Sequence, residues 1–282
     1  MPGMKWTFMS LQILDEVRSG KMTFAEMFPR ARAAGFVAYD ASDMDAEFAD
    51  REEVLRLCRE NGLKIADYIH WIHMATPDDK ALEAAIESGK QAVHTALAHG
   101  TKRLMIVEQV NRHDLEKLTR QEASRRMGCA LREIVNYADK FGVTVMVEDF
   151  PVPALPMSTS DEMKALLDAA PGLQLILDTG NMLAQKEDPL HFYQALKGHY
   201  AHVHLKDIEY PENATTGDID CDGRHIWNAQ HGEGVVNFAA LLPDLKQDGF
   251  DGYVTVEYGP HEGTKDHFEK MAESIRYLEG LL

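Results

Sequence analysis

One phrase recurs along the chain: a stretch with helical periodicity, then a glycine, then a short β-rich run. It is read in "ARAAGFVAYD", "RENGLKIADYIH", "LAHGTKRLMIVE" and "DKFGVTVMVED", and again in "APGLQLILD", "LKGHYAHVHLKD" and "QDGFDGYVTVE". The glycines are Gly35, Gly62, Gly100, Gly142, Gly172, Gly198 and Gly249, each where a helix would close in a left-handed residue before a strand begins. Apolar residues recur at helical spacing between them. Leu131, Ile134, Val135, Ala138 and Phe141 share one face, as do Phe268, Met271, Ile275 and Leu278. With a first strand in "KWTFMSLQ", about eight strands alternate with helices, in a chain of 282 residues. That length is close to the roughly 250 residues of a (β/α)8 barrel.

The expectation is therefore an α/β fold: a single (β/α)8 TIM barrel spanning residues 1–282, with no proline-rich or low-complexity linker to divide it. A doubly wound open sheet shows the same alternation, but it ordinarily carries a Gly-rich turn after its first strand, and "SLQILDEVRSG" follows here instead. The formal net charge of −17 repels phosphate backbones and anionic membrane faces, so neither nucleic acid nor membrane is an expected partner. Cys58, Cys129 and Cys221 are scattered singly, which suits a reducing compartment. The N-terminus has no apolar core before Asp15 and Glu16, and a cytoplasmic protein is predicted. The sequence is compatible with a monomer or a homo-oligomer.

Side chains alternate in a strand, so parity decides which residues share a face. In "VTVMVE", Val143, Val145 and Val147 oppose Thr144, Met146 and Glu148. The following strands set Leu173, Leu175 and Leu177 against Gln174, Ile176 and Asp178. They set Val203 and Leu205 against His202, His204 and Lys206, and Val254 and Val256 against Tyr253, Thr255 and Glu257. The aliphatic faces meet the helices, so Glu148, Asp178, His204 and Glu257 converge at the C-terminal mouth of the barrel. One such residue alone is ordinarily a loop cap or a hydrogen-bonded core group; four in matching parity on consecutive strands form a site. Three carboxylates brought together need a cation to offset repulsion and desolvation. Oxygen ligands with one imidazole and no thiolate suit one divalent ion: manganese, magnesium or cobalt, with zinc as a further candidate.

"VMVEDF", "LILDTGN", "HVHLKD", "GEGVVNF" and "VTVEYG", in that order, resemble the xylose isomerase-like barrel superfamily of sugar isomerases and epimerases, which also contains inosose dehydratases and apurinic endonucleases. The resemblance spans essentially the whole chain. It implies that Glu148, Asp178, His204 and Glu257 hold one divalent metal and that Glu148 and Glu257 act in proton transfer. One departure is Asn181, where members that epimerise ketoses or cleave DNA often carry histidine; asparagine is a weak metal ligand, and a one-metal site is expected.

Further pocket residues are expected at His70, Glu108, Asn181, Lys206, Arg224 and His231 as substrate contacts, with Trp71 as ordinary packing and Asp149 as a structural partner or loop cap. A metal beside two glutamates can acidify the C–H between a carbonyl and a hydroxyl and stabilise the enediolate. The predicted activity is isomerisation or epimerisation of a ketose or related hydroxy-ketone, on a small-molecule sugar or polyol-derived substrate. A dehydratase (lyase) using the same proton abstraction is the alternative, and a non-catalytic sugar-binding barrel is a third. Apurinic endonuclease activity is disfavoured by charge and by Asn181.

Overall fold

Eight parallel strands close on themselves in the computed structural model, which describes residues 4–259 and 266–282. In chain order the strands are β1 (Lys5–Met9), β2 (Ala38–Ser42), β3 (Lys64–Ile72), β4 (Arg103–Glu108) and β5 (Thr144–Glu148). They continue as β6 (Gln174–Asp178), β7 (Tyr200–Glu209), β8 (Asp218–Ile219), β9 (His225–Ala229) and β10 (Tyr253–Glu257). β1 to β7 pair in sequence, and β10 pairs with both β1 and β7 and so closes the barrel. β8 and β9 stand outside it, as an antiparallel hairpin laid on the extended end of β7.

All seven junction glycines have positive φ, from 65° at Gly142 to 109° at Gly35, so the recurring phrase reports a real backbone requirement. Helix starts are written as locally. Thr23 with Glu26, Thr119 with Glu122 and Thr159 with Glu162 each form a reciprocal capping box.

The strand parity separates two cores. Val145, Val147, Leu175, Leu177, Val203, Leu205, Val254 and Val256 pack outward against the helices. A smaller apolar cluster of Met9, Ile69, Met105, Val107, Met146 and Ile176 fills the barrel interior. Phe141 departs from the expected stripe: the helix ends at Ala138 and tightens into a 3-10 turn, Asp139–Phe141, which changes the angular phase. Its ring, 38% exposed, instead rests against His94 and Tyr137. Among the described residues, no helix is long and apolar enough to cross a membrane.

Candidate metal centre

Register across the last strands brings the acidic residues together. Asp178 pairs with His204 between β6 and β7, and Lys206 with Glu257 between β7 and β10. One ligating atom from each of Glu148, Asp178, His204 and Glu257 lies within 4.8 Å of all the others. His204 Nδ1 is 2.6 Å from Glu148 Oε1 and 3.5 Å from Glu257 Oε2. Despite this closeness, Glu148 Oε1, Asp178 Oδ2 and both ring nitrogens of His204 are buried without an aligned hydrogen bond. Glu148 Oε1, Asp178 Oδ2 and His204 Nδ1 thus gather around a shared space, which is the arrangement a cation requires, while His204 Nε2 lies on the other edge of the ring.

The shell behind these atoms is ordered. Asp178 Oδ1 accepts the backbone N–H groups of Gly180 (2.7 Å) and Asn181 (2.8 Å), leaving Oδ2 turned to the mouth. Lys206 Nζ lies 3.0 Å from Asp178 Oδ2 and 2.6 Å from Glu257 Oε1, and donates to Asn181 Oδ1 at 2.9 Å. Asn181 donates its Nδ2 to the Asp149 carbonyl at 2.8 Å, so both ends of its amide are engaged. A cation is thus already supplied on the Asn181 side of Asp178.

Burial and the neighbouring Glu257 and Glu148 carboxylates push Asp178 well above the usual carboxylate range, against the pull of Lys206. Burial opposes charge on His204 and Lys206 too, but the carboxylates around them outweigh it and raise both above their ordinary values. For Glu257 burial is likewise outweighed, here by Lys206 and His204, and its pKa is lowered.

A family model described as "Xylose isomerase-like TIM barrel" matches residues 14–281. The chain belongs to that family. Among curated relatives it is 19% identical over 235 residues to an inosose dehydratase of Lacticaseibacillus casei, covering 78% of this chain and 77% of the relative. It is 26% identical over 245 residues to the L-ribulose-5-phosphate 3-epimerase UlaE of Escherichia coli (strain SE11), covering 81% and 80%. Among solved structures, the IOLI protein with a bound zinc atom superposes with a TM-score of 0.77 at 18% identity, covering 98% of this chain and 96% of that one. These curated relatives are sugar- or polyol-modifying enzymes.

In this xylose isomerase-like barrel, several side chains expected at the pocket are placed elsewhere. His70 has the outward parity of Tyr68 and Ile72; its Nδ1 meets Asp43 at 2.6 Å and its Nε2 meets Ser88 at 2.9 Å, so it ties the β2 and β3 loops to a helix. Glu108 is also outward. It accepts the N–H groups of Met74 (2.8 Å) and Ala75 (3.2 Å) and contacts His73 Nδ1 at 3.0 Å, so it caps a loop, and it also borders the cleft lined by Trp71 rather than leaving the pocket altogether. His231 is buried behind β7, between the Leu205 carbonyl (2.7 Å) and the Ser274 hydroxyl (2.9 Å). Arg224, on the β9 end of the hairpin turn, is held by Asp220 at 3.0 Å and stacks over Tyr210 at 4.3 Å. Only Lys206 and Asn181 of the six stand against the four converging groups.

A cleft opens on another side of Trp71, a residue expected only as packing. Trp71 lines a cleft of about 740 Å³ with Met44, Gln109, Arg112, Phe150 and Val152. Trp71 shares the inward parity of Ile69, a signal that was present in the sequence. Asp149 is fully buried and accepts the Asp178 backbone N–H at 3.2 Å, which makes it a tie between the β5 and β6 loops.

Proposed function

We propose that this protein is a divalent-metal-dependent sugar isomerase or epimerase that moves a proton at the carbon of a ketose or related hydroxy-ketone. The observation that carries this is the set of four donor groups within 4.8 Å, three of them with buried atoms that lack hydrogen bonds. Glu148, Asp178, His204 and Glu257 would hold one divalent ion, with manganese, magnesium, cobalt and zinc all suited to the donor set. When bound, that ion supplies electrophilic stabilisation of a substrate oxygen.

The protein's own residues do the rest. Glu148 and Glu257 come from β5 and β10, strands on either side of β7 in the barrel, and both reach the His204 Nδ1 edge, so one carboxylate can remove a proton from carbon while the other returns one. Lys206 presents a charged donor at the same mouth, able to hold a substrate oxygen. Trp71 and Phe150 give the cleft two aromatic faces suited to the C–H side of a sugar. The epimerase among the curated relatives supports this reading. A second reading, loss of water after the same proton abstraction, is supported by the inosose dehydratase relative. Cytoplasmic residence belongs to the proposal and is supported by three free, scattered cysteines.

The experiment is turnover of candidate ketoses in deuterated water with added metal and no nicotinamide, flavin or ATP. The expected product carries deuterium at the carbon next to the carbonyl and keeps its oxygen count, whereas a product lighter by one water selects the dehydratase. Strict dependence on an added nicotinamide would overturn both.

A further inference from the structure

A second group of polar side chains lies inside the barrel, away from the mouth. Asp40 comes from β2, Asp67 from β3, His202 from β7, and Thr7 and Thr255 from β1 and β10; none of the five is exposed to solvent. The Thr7 hydroxyl donates to one Asp40 oxygen at 3.0 Å, and the Thr255 hydroxyl donates to the other at 2.9 Å. Because the single Thr255 proton is committed to Asp40, its oxygen accepts from His202 Nε2 at 2.7 Å, which makes His202 the Nε2–H tautomer. The His202 ring packs edge-on against His204, with centroids 5.2 Å apart and planes at 85°.

His204 stands between this chain and the mouth. Its Nδ1 edge faces Glu148 and Glu257, so its Nε2 edge faces the barrel interior, where that atom is fully buried with no hydrogen-bond partner. Asp40, His202 and His204 each bring a ligating atom within 4.8 Å of the other two. That is the span of about two consecutive hydrogen bonds, the separation one bridging water closes. An imidazole offers one nitrogen to a metal only while the other keeps its proton, and that N–H needs an acceptor, commonly a carboxylate. His202 cannot be the acceptor through Nε2, which is donating. Asp67 is placed toward His202, with Oδ2 3.6 Å from His202 Nδ1.

We propose that Asp40 is the positioning residue for His204: through one bridging water it accepts the Nε2–H and so keeps the Nδ1 lone pair directed at the space shared with Glu148, Asp178 and Glu257. Thr7 and Thr255 hold the Asp40 carboxylate in the orientation this needs. The inference rests on the metal reading above and adds a residue that touches neither the ion nor the substrate.

The test is the affinity of the whole protein for manganese(II), titrated calorimetrically into metal-free wild type, Asp40→Asn, His204→Gln and the double variant, with folding checked by circular dichroism. Asp40→Asn should bind manganese about 10- to 100-fold more weakly than wild type. In the His204→Gln background, which has no ring N–H to accept, the same change should alter affinity less than twofold. Affinity of Asp40→Asn within twofold of wild type, or an equal loss in both backgrounds, would overturn the proposal. If asparagine at position 40 unfolds the barrel, Thr7→Val removes one orienting hydroxyl at nearly constant shape; about threefold weaker binding is expected, and unchanged binding overturns the role. Wild type that takes up neither manganese nor, in a parallel titration, zinc removes the metal reading itself and this inference with it. Wild type that binds, with Asp40 indifferent, removes the inference alone.

Discussion

Glu148 and Asp149 are adjacent carboxylates with opposite duties, and strand parity is the reason. Glu148 turns into the mouth, while Asp149 turns away and ties the β6 loop through the Asp178 N–H. Glu148→Gln keeps the shape but removes the basic oxygen, and kcat should fall by roughly a hundredfold or more. Asp149→Asn keeps the acceptor and should cost on the order of 1 kcal/mol of stability with turnover retained per folded molecule. Activity assays paired with urea melts separate the two; an inactive Asp149→Asn beside a nearly normal Glu148→Gln would reverse the assignment. His204 carries a second expectation. Its carboxylate neighbours hold its pKa above the ordinary imidazole value, so metal binding must expel that proton. Affinity should therefore tighten as pH rises from 6 to 8, by up to about tenfold per pH unit for one released proton. Calorimetry in buffers of different ionisation heat reads the proton directly, and pH-independent binding would contradict the assignment.

The strands were legible because their period of two leaves a strict record: valine and leucine on one side, Glu148, Asp178, His204 and Glu257 on the other. Loops keep no such record. His231 finds Ser274 43 residues away and Glu108 finds His73 35 residues away, partners that no local pattern announces. The β8–β9 hairpin lies in a stretch without clear alternation, so no strand period announces it. On β3 the same period of two turns Ile69 and Trp71 inward and His70 outward. Helix packing gives its own test. A methyl at Gly89, in the helix Asp79–Ala98, would stand 2.4 Å from Ile134 Cδ1 of the helix Arg120–Ala138. Gly89→Ala gains roughly 1 kcal/mol of helix propensity but incurs overpacking of about 1–3 kcal/mol. Urea denaturation should show net destabilisation of about 1 kcal/mol, and a stabilised variant would contradict this contact.

Across the whole molecule, one design unites fold and site. Helices cover the aliphatic outer face of the closed sheet, which frees the inner face for polar groups, and closure brings β5, β6, β7 and β10 to one mouth. The barrel tolerates that concentration of buried charge only with compensation, supplied in part by Lys206 and, in the proposed active state, by a divalent ion. The most direct measurement is anomalous diffraction from crystals of the protein and of Asp178→Ala, both soaked in manganese. A single strong peak bounded by Glu148, Asp178, His204 and Glu257 in the first crystal, and its loss from an otherwise unchanged barrel in the second, is the predicted result. A peak away from those four residues, or equal occupancy after Asp178 is removed, would contradict the assignment of the site.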